Sequence, residues 1–248
     1  MKTVAVASIK GGVGKTSAAV NLAHACASEG GRALVWDLDP QGAATWSLGV
    51  GRRVPGGGRT LVRRGADVEA AVCTTSIPGL DVLPADFSLR HLDLELADAG
   101  HPKRRLRKLI GSFDGAYDTV FIDCPPGITL AIETALHASD TVVVPVVPAS
   151  LPMRTLGQLR SFVVAEKQLR RLRVLPFLSM IDRRRRTHRQ LVDALATDRS
   201  GLLRTPVPLS VDVEAMGARR QPVGVYAPRS TAAAAYRALW LEVEQRMT

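Results

Sequence analysis

The sequence predicts an α/β fold: a single doubly wound, mostly parallel sheet with helices on both faces. Two observations carry this expectation. Short continuous runs of Val, Ile, Leu and Ala alternate along the chain with segments of helical apolar spacing, as a parallel sheet buried on both faces requires. The first run also passes through a glycine-rich turn directly into an Ala/Leu-rich stretch, giving strand, loop and helix in succession.

Val4-Ala5-Val6-Ala7 is the first strand, ending at Ser8, and Thr16 to Ser28 is the first helix, with Ala19, Leu22, Ala23 and Cys26 at helical spacing. Gly30-Gly31 stops that helix, and Ala33-Leu34-Val35-Trp36 forms a second strand that terminates at Asp37. Arg52 to Arg64, with Pro55 and Gly56–Gly58, reads as a surface connection inside one domain, because strand and helix alternate again beyond it. Further strands are expected at Leu80–Leu83, Thr119–Ile122, Thr141–Val147 and Val174–Met180, with helices over Leu130–Leu136 and Leu156–Leu169. A last helix, Ser230 to Met247, carries Tyr236, Leu239, Trp240 and Val243 on one side. Its mixed charges at Arg237, Glu242, Glu244 and Arg246 favour packing on the core over anchoring in a membrane. No internal repeat interrupts this pattern, and residues 1–248 are expected to form one domain.

Composition narrows the functional classes. With 46% hydrophobic and 23% charged residues, the 248-residue chain can bury a core, which excludes disorder as a description of the whole. Thirty-three basic residues against 23 acidic ones leave a net charge of +10 and point to polyanionic partners: nucleic acid, anionic lipid or nucleotide. No apolar stretch approaches the roughly 18 residues of a membrane span, and no cleavable leader is visible, so a cytoplasmic protein is expected. Three cysteines, Cys26, Cys73 and Cys124, without C-x-x-C spacing, read as small core residues or free thiols.

Lys10-Gly11-Gly12-Val13-Gly14-Lys15-Thr16 stands between the first strand and the first helix, where a phosphate-binding loop has to be. Glycines let successive backbone N–H groups converge on phosphate oxygens, and the helix N-terminus adds partial positive charge. Lys15 can then reach β/γ oxygens, and the Thr16 hydroxyl can ligate Mg²⁺. The loop is a deviant one, with Ile9 where the ordinary pattern has glycine and an extra lysine at Lys10.

Two acidic segments end strands that should share a rim with this loop. Asp37-Leu38-Asp39-Pro40-Gln41 follows the second strand, and Asp123-Cys124-Pro125-Pro126 follows Val120-Phe121-Ile122. Phosphoryl transfer to water needs one carboxylate near the metal and another group to orient the attacking water. Asp123 fits the first role and Asp39 the second, while Asp37 supports either the metal shell or the loop itself.

Taken together, Lys10–Thr16, Asp37–Gln41 and Phe121–Pro126 resemble the ParA-type partition ATPases of the deviant-Walker P-loop class, the ParA/Soj/MinD superfamily. The resemblance extends through Val82–Asp86, Met180-Ile181-Asp182 and Tyr226–Ser230 in matching order. It implies an ATP-sandwich homodimer with ATP and Mg²⁺ as cofactors, slow hydrolysis stimulated by a ParB-like partner, and DNA segregation by a nucleoid-associated protein. By the same resemblance the nucleotide is held by Lys10, Gly11, Gly12, Val13, Gly14, Lys15, Thr16 and Ser17, with Pro208 lining the adenine pocket. Lys10 reaches the nucleotide of the opposite protomer, Lys15 binds β/γ-phosphate, and Thr16, Asp39 and Asp123 surround the metal, Asp39 activating the water. The chain departs from the family at Ser8-Ile9, at Ala43, and at Asp212, where many members carry an arginine.

The positive charge is clustered. Arg183, Arg184, Arg185, Arg186 and Arg189 lie before or at the start of a helix with Leu191, Val192 and Leu195 as apolar positions. Adjacent cations there repel one another and oppose the helix dipole, a cost that phosphate would remove. The bland alternative is a solvated charged turn. These five arginines are assigned to nonspecific double-stranded DNA, with Arg219 and Arg220 replacing what Asp212 cannot do. Lys103–Lys108 reads as the solvated face of a helix as readily as a binding patch, and Arg170–Arg173 is a further basic cluster. No separate helix-turn-helix domain is expected before the loop, and aromatics are not interleaved with the arginines, which argues against stacking on single strands.

Two other functions stay open on the same motifs. A membrane-cycling, MinD-like positioning ATPase needs a basic amphipathic C-terminal helix, and Leu239–Thr248 is mixed and partly acidic. An ATP-controlled binding protein that restrains a transcription regulator is compatible with every motif.

Overall fold

The apolar runs become strands because side chains that alternate to opposite sides of a run of Val, Ile and Leu can all be buried only between two helical layers. The computed structural model describes residues 1–51, 54, 57, 68–98, 102–194 and 201–247. Seven strands form one sheet: β1 (Lys2–Val6), β2 (Ala33–Asp37), β3 (Cys73–Thr74), β4 (Leu80–Leu83), β5 (Thr119–Asp123), β6 (Thr141–Val146) and β7 (Arg173–Leu178). Their order is β3-β4-β2-β5-β1-β6-β7, parallel throughout except for β3 against β4. The chain winds from β1 outward in one direction and later in the other, so the crevice at the carboxyl end of β1 is where such a sheet takes its ligands.

The two faces sort the strand residues by parity. Ala5, Leu34, Trp36, Val120, Ile122, Val142 and Val144 face one helical layer, which includes the helices Pro102–Gly111, Leu130–Ala138 and Ser150–Ala165. Val4, Val6, Val35, Phe121 and Val143 face the other, formed by α1 (Lys15–Ser28) and the C-terminal helix Thr231–Met247, which pack on each other. In that second layer the rings of Phe121 and Trp240 lie 5.4 Å apart at 60°.

Differences from expectation are local and have backbone causes. β7 stops at Leu178 and not at Met180, because Met180 takes a left-handed φ of 55°. α1 begins one residue early, at Lys15, capped by Gly14 in the left-handed region. The helix expected over Leu156–Leu169 spans Ser150–Ala165, and a separate 3-10 turn covers Lys167–Leu169. Pro152 stands in its first turn, where a missing N–H interrupts no helical bond. Five short helices among the described residues were not foreseen: Ala43–Ser47, Leu92–Asp98, Val211–Glu214, Met216–Arg219 and Val223–Tyr226. Each is too short to show a 3.6-residue period. Of the expected connection Arg52–Arg64, Val54 and Gly57 are described, while Pro55, Gly56 and Gly58 lie outside the described residues, as does Leu195.

Trp240 is fully buried, yet its indole N–H has no partner among the described residues. Trp240→Ala is expected to cost about 3–5 kcal/mol in urea unfolding through the cavity it leaves. Trp240→Phe should cost less than half as much, because it also removes an unsatisfied buried donor; equal losses for the two variants would contradict this account.

Candidate functional site

The turn between β1 and α1 depends on glycine at two positions. Gly12 and Gly14 have φ of 70° and 92°, and a Cβ at Gly14 would lie 3.1 Å from the Ser179 Oγ. A side chain there is strained by the backbone and crowded by its neighbour, so the turn stays open and its N–H groups, with those of the α1 N-terminus, remain available to an anion. Lys15, in the first turn of α1, is buried, with 7% exposure. Ser17 is half-buried, and Thr16 stands beside the carboxylate of Asp123. Ile9 packs against the core, and its carbonyl accepts the Gly127 N–H at 3.1 Å, which draws the loop after β5 onto the phosphate loop.

Strand register brings the acids together. Val6 of β1 and Asp37 of β2 both pair with Asp123 of β5, so the two carboxylates end adjacent strands at one edge. Both are fully buried. Asp37 is satisfied within the fold: Oδ2 accepts the Thr45 N–H at 2.8 Å and the Thr45 hydroxyl at 2.7 Å, and Oδ1 accepts the Asp39 N–H at 3.1 Å. The Thr45 hydroxyl in turn accepts the Ala85 N–H at 3.0 Å. Of the two roles open to Asp37 in the sequence, the bonds formed here are those of loop support.

Asp123 is the opposite case. Neither carboxylate oxygen has a hydrogen-bond partner among the described residues. Burial, then the neighbouring Asp37 charge, pushes its carboxyl well above the usual range, while Thr16 and the Lys15 ammonium oppose the rise. A buried, unpartnered carboxylate facing a hydroxyl and an ammonium is incomplete without a cation. Among the described residues no group of three or more His, Cys, Asp or Glu gathers to hold a metal. Mg²⁺ does not need one, since it keeps several waters and takes one or two protein oxygens together with phosphate. Asp123 and Thr16 therefore fit a hydrated divalent ion bridging to an anionic ligand in the loop.

Asp39 lies half-exposed on the rim, its Oδ1 accepting the Gln41 N–H at 3.0 Å and its carbonyl the Gly42 N–H at 2.8 Å. Lys10 is exposed, and among the described residues its ammonium has no partner. Pro208 lines a small pocket with Gly14, Ser17, Met180, Val213 and Tyr236. Its segment is held there by bonds from Val207 N–H to the Leu178 carbonyl and from Ile181 N–H to the Val207 carbonyl, 2.8 and 3.0 Å.

The arginines separate into engaged and free. Arg184 forks onto Asp182 at 2.9 and 3.1 Å, Arg185 approaches the same carboxylate at 3.8 Å, and Arg189 donates to the Arg183 and Arg184 carbonyls. The anion expected to offset the run's self-repulsion is thus partly its own Asp182, whose carboxyl Arg184 holds down at about 2. His188 is buried and accepts the Asp182 N–H, a local bond that tightens the same turn. The exposed Arg183 and Arg186 side chains make no hydrogen bond or ion pair among the described residues. Arg219 lies 6.0 Å from the Tyr226 ring. Arg220 stacks at 4.2 Å on Trp46, whose indole N–H donates to the Gly217 carbonyl at 2.6 Å. Arg220 is therefore a clamp between the helix after the Asp39 loop and the segment around Gly217. Asp212 sits in the first turn of its short helix, capped by Ser210. Thr45 and Trp46 were missed by sequence reasoning; the acid ending a strand eight residues before Thr45 is the one signal that a helix N-terminus needed satisfying there.

Residues 1–173 match the protein-family model of an AAA domain. The chain is 33% identical over 247 residues to the sporulation initiation inhibitor protein Soj of Bacillus subtilis, covering 98% of each. It is 34% identical over a 257-residue alignment to the chromosome partitioning protein ParA of Caulobacter vibrioides, covering 99% of this chain and 95% of that one. Among solved structures it matches cobyrinic acid a,c-diamide synthase from Mycobacterium smegmatis, with bound ATP analogue and magnesium, at a TM-score of 0.82 and 27% identity, covering 99% and 95% of the two chains.

Burial raises the Asp37 carboxyl to about 6 against the opposing bonds from Thr45 and Asp39. Unfolded, the same carboxyl titrates near 4, so between these values the folded state binds more protons. Its contribution favours folding fully below about pH 4 and is lost as pH rises through about 6, a swing on the order of 3 kcal/mol. Urea unfolding from about pH 5 to about pH 7.5 is expected to show the wild type losing more stability than Asp37→Asn. An equal or shallower wild-type slope would contradict the assignment.

Proposed function

The chain belongs to the ParA/Soj family of P-loop ATPases, and on that premise we propose that it is an ATP-driven partition protein that makes a nucleotide-gated contact with nonspecific DNA as a nucleotide-closed dimer and gives up that contact after hydrolysis. The observation that carries the reading is the buried, unpartnered Asp123 carboxylate set against Thr16 and Lys15 at the start of α1. When bound, ATP with Mg²⁺ supplies the γ-phosphoryl group that passes to water and the cation that offsets its charge.

The rest of the work falls to the chain. Backbone N–H groups from Gly11 to Gly14 and the N-terminus of α1 bind phosphate oxygens, and Lys15 neutralises them from its buried position. Thr16 and Asp123 hold the cation's shell. Asp39, fixed by the Asp37–Thr45 bonds but half-exposed, orients the attacking water. Lys10, exposed and unpaired, reaches the nucleotide of a second copy of the chain. Pro208 and its pocket flank the base.

Arg183, Arg186 and Arg219 contact duplex phosphates. Arg184, Arg185 and Arg189 stiffen the turn that presents the first two, and Arg220 secures the third's segment. A ParB-like protein bound to the cargo stimulates turnover, and repeated release and rebinding over the nucleoid moves the cargo. Among the described residues no helix is long and apolar enough to cross a membrane. The C-terminal helix buries Tyr236, Leu239, Trp240 and Val243 in the core, so this side of it is used for packing.

Asp39→Ala is expected to bind ATP normally, to lose roughly 10²-fold or more in turnover, and to persist on random-sequence duplex. Turnover at the wild-type rate removes Asp39 from the mechanism. Arg183→Ala/Arg186→Ala should lower the salt slope of ATP-dependent duplex binding by about 2; an unchanged slope removes those arginines.

A further inference from the structure

Two basic segments that the nucleotide site does not use, Lys103–Lys108 and Arg170–Arg173, are far apart in sequence and meet in the fold. They flank one cleft of about 760 Å³, lined by Lys2, Arg107, Ile110, His137, Arg171 and Arg173 among others. Lys2 opens β1 and Arg173 opens β7, so the cleft lies at the amino ends of the strands. The phosphate loop, Asp37 and Asp123 lie at the carboxyl ends. A five-residue strand spans about 17 Å, and the two sites are therefore on opposite edges of the sheet.

Most other charges around the cleft are already engaged. Lys103 pairs with Glu166 at 2.9 Å, the Met1 amine with Asp114 at 3.5 Å, and the Asp140 carboxylate accepts the Thr3 N–H. Lys2 and Arg173 both donate to the Met247 carbonyl. Arg107 and Arg171 line the cleft, and Arg104 and Lys108 on the same helix Pro102–Gly111 and Arg170 next in sequence to Arg171 extend the basic surface beyond it; all five are exposed, and among the described residues no acid pairs with them. The inner side of that helix, Leu106, Leu109 and Ile110, is fixed in the core. Arg104, Arg107 and Lys108 are thus carried close together on a helix fixed in the core although they repel one another.

The chemistry of the rim selects the partner. Four of these five cations are arginines, whose planar forks match phosphate oxygens. Among the described residues no Phe, Tyr or Trp lines the cleft, whose one ring is the half-buried His137, so it lacks the row of aromatic platforms on which unpaired bases stack. Met1 is the one exposed large apolar side chain lining it, too little to insert into a bilayer.

We propose that this cleft and its arginine rim form a second binding face for the backbone of duplex DNA, at the edge of the sheet opposite the nucleotide, and that it acts with or without nucleotide. It rests on the partition reading only for the identity of the polyanion. No residue lining it belongs to the phosphate loop. Such a face holds the protein near DNA after the nucleotide-gated contact is released.

The test uses the full chain, a short random-sequence duplex and fluorescence anisotropy across a salt titration, without nucleotide and with ATP. Arg104→Ala/Arg107→Ala/Arg171→Ala is expected to weaken nucleotide-free binding at least tenfold at about 50 mM salt and to lower its salt slope by roughly 2 to 3. The matching triple lysine variant should restore most of that binding, which excludes a folding defect as the cause. Equal nucleotide-free affinity of wild type and the triple alanine variant overturns the proposal. So does undetectable nucleotide-free binding by wild type, or arginine-dependent binding to phosphatidylglycerol vesicles in place of DNA. Loss of the ATP-dependent increment alone, with nucleotide-free binding intact and dependent on these arginines, defeats the partition reading and leaves this face standing.

Discussion

The structure turns on the burial of two carboxylates side by side at the carboxyl edge of the sheet. Register makes Asp37 and Asp123 neighbours on β2 and β5, and neither is exposed. Charges so placed are costly unless paired and hydrogen-bonded. The fold answers the first with three hydrogen bonds from the Asp39 loop and Thr45, and leaves the second open toward Thr16 and Lys15. One acid builds the loop and the other has no hydrogen-bond partner among the described residues; that asymmetry is what the proposed metal-bound phosphate site draws on.

The satisfied acid also ties distant segments together. Thr45 links Asp37 to Ala85 beyond β4. The next residue, Trp46, receives the Arg220 guanidinium and donates to the Gly217 carbonyl. A continuous set of contacts therefore runs from the loop bearing Asp39 to the segment bearing Arg219. Contact by itself is not coupling. It does place a half-exposed acid and a candidate phosphate-binding arginine at the two ends of one chain of contacts.

Much of this was legible in the sequence. Val120-Phe121-Ile122 ending in Asp123, and Ala33–Trp36 ending in Asp37, read directly as buried strands with acids at the rim, because continuous apolar runs have few other uses in a chain of this composition. The phosphate loop was legible because glycine at Gly12 and Gly14 is demanded by backbone conformation. The division of labour between the acids was not, since it depends on hydrogen bonds from Thr45, whose helix of five residues has no period to detect. Nor was the self-pairing of the arginine run, as the geometry that lets Arg184 fork onto Asp182 belongs to a tight turn. The basic cleft at the amino edge was invisible for a different reason: its two halves are joined only by the sheet.

Thermal melting of wild type and Asp123→Asn, each without ligand, with ADP, and with ADP and Mg²⁺, tests the central claim most directly. If Asp123 is a buried charge awaiting a cation, the neutral amide should melt at least as high as wild type without ligand, and Mg²⁺ should add nothing to the gain from ADP alone. Wild type should gain further when Mg²⁺ joins ADP. A lower unliganded melting temperature for Asp123→Asn, together with an undiminished response to Mg²⁺, would contradict the account.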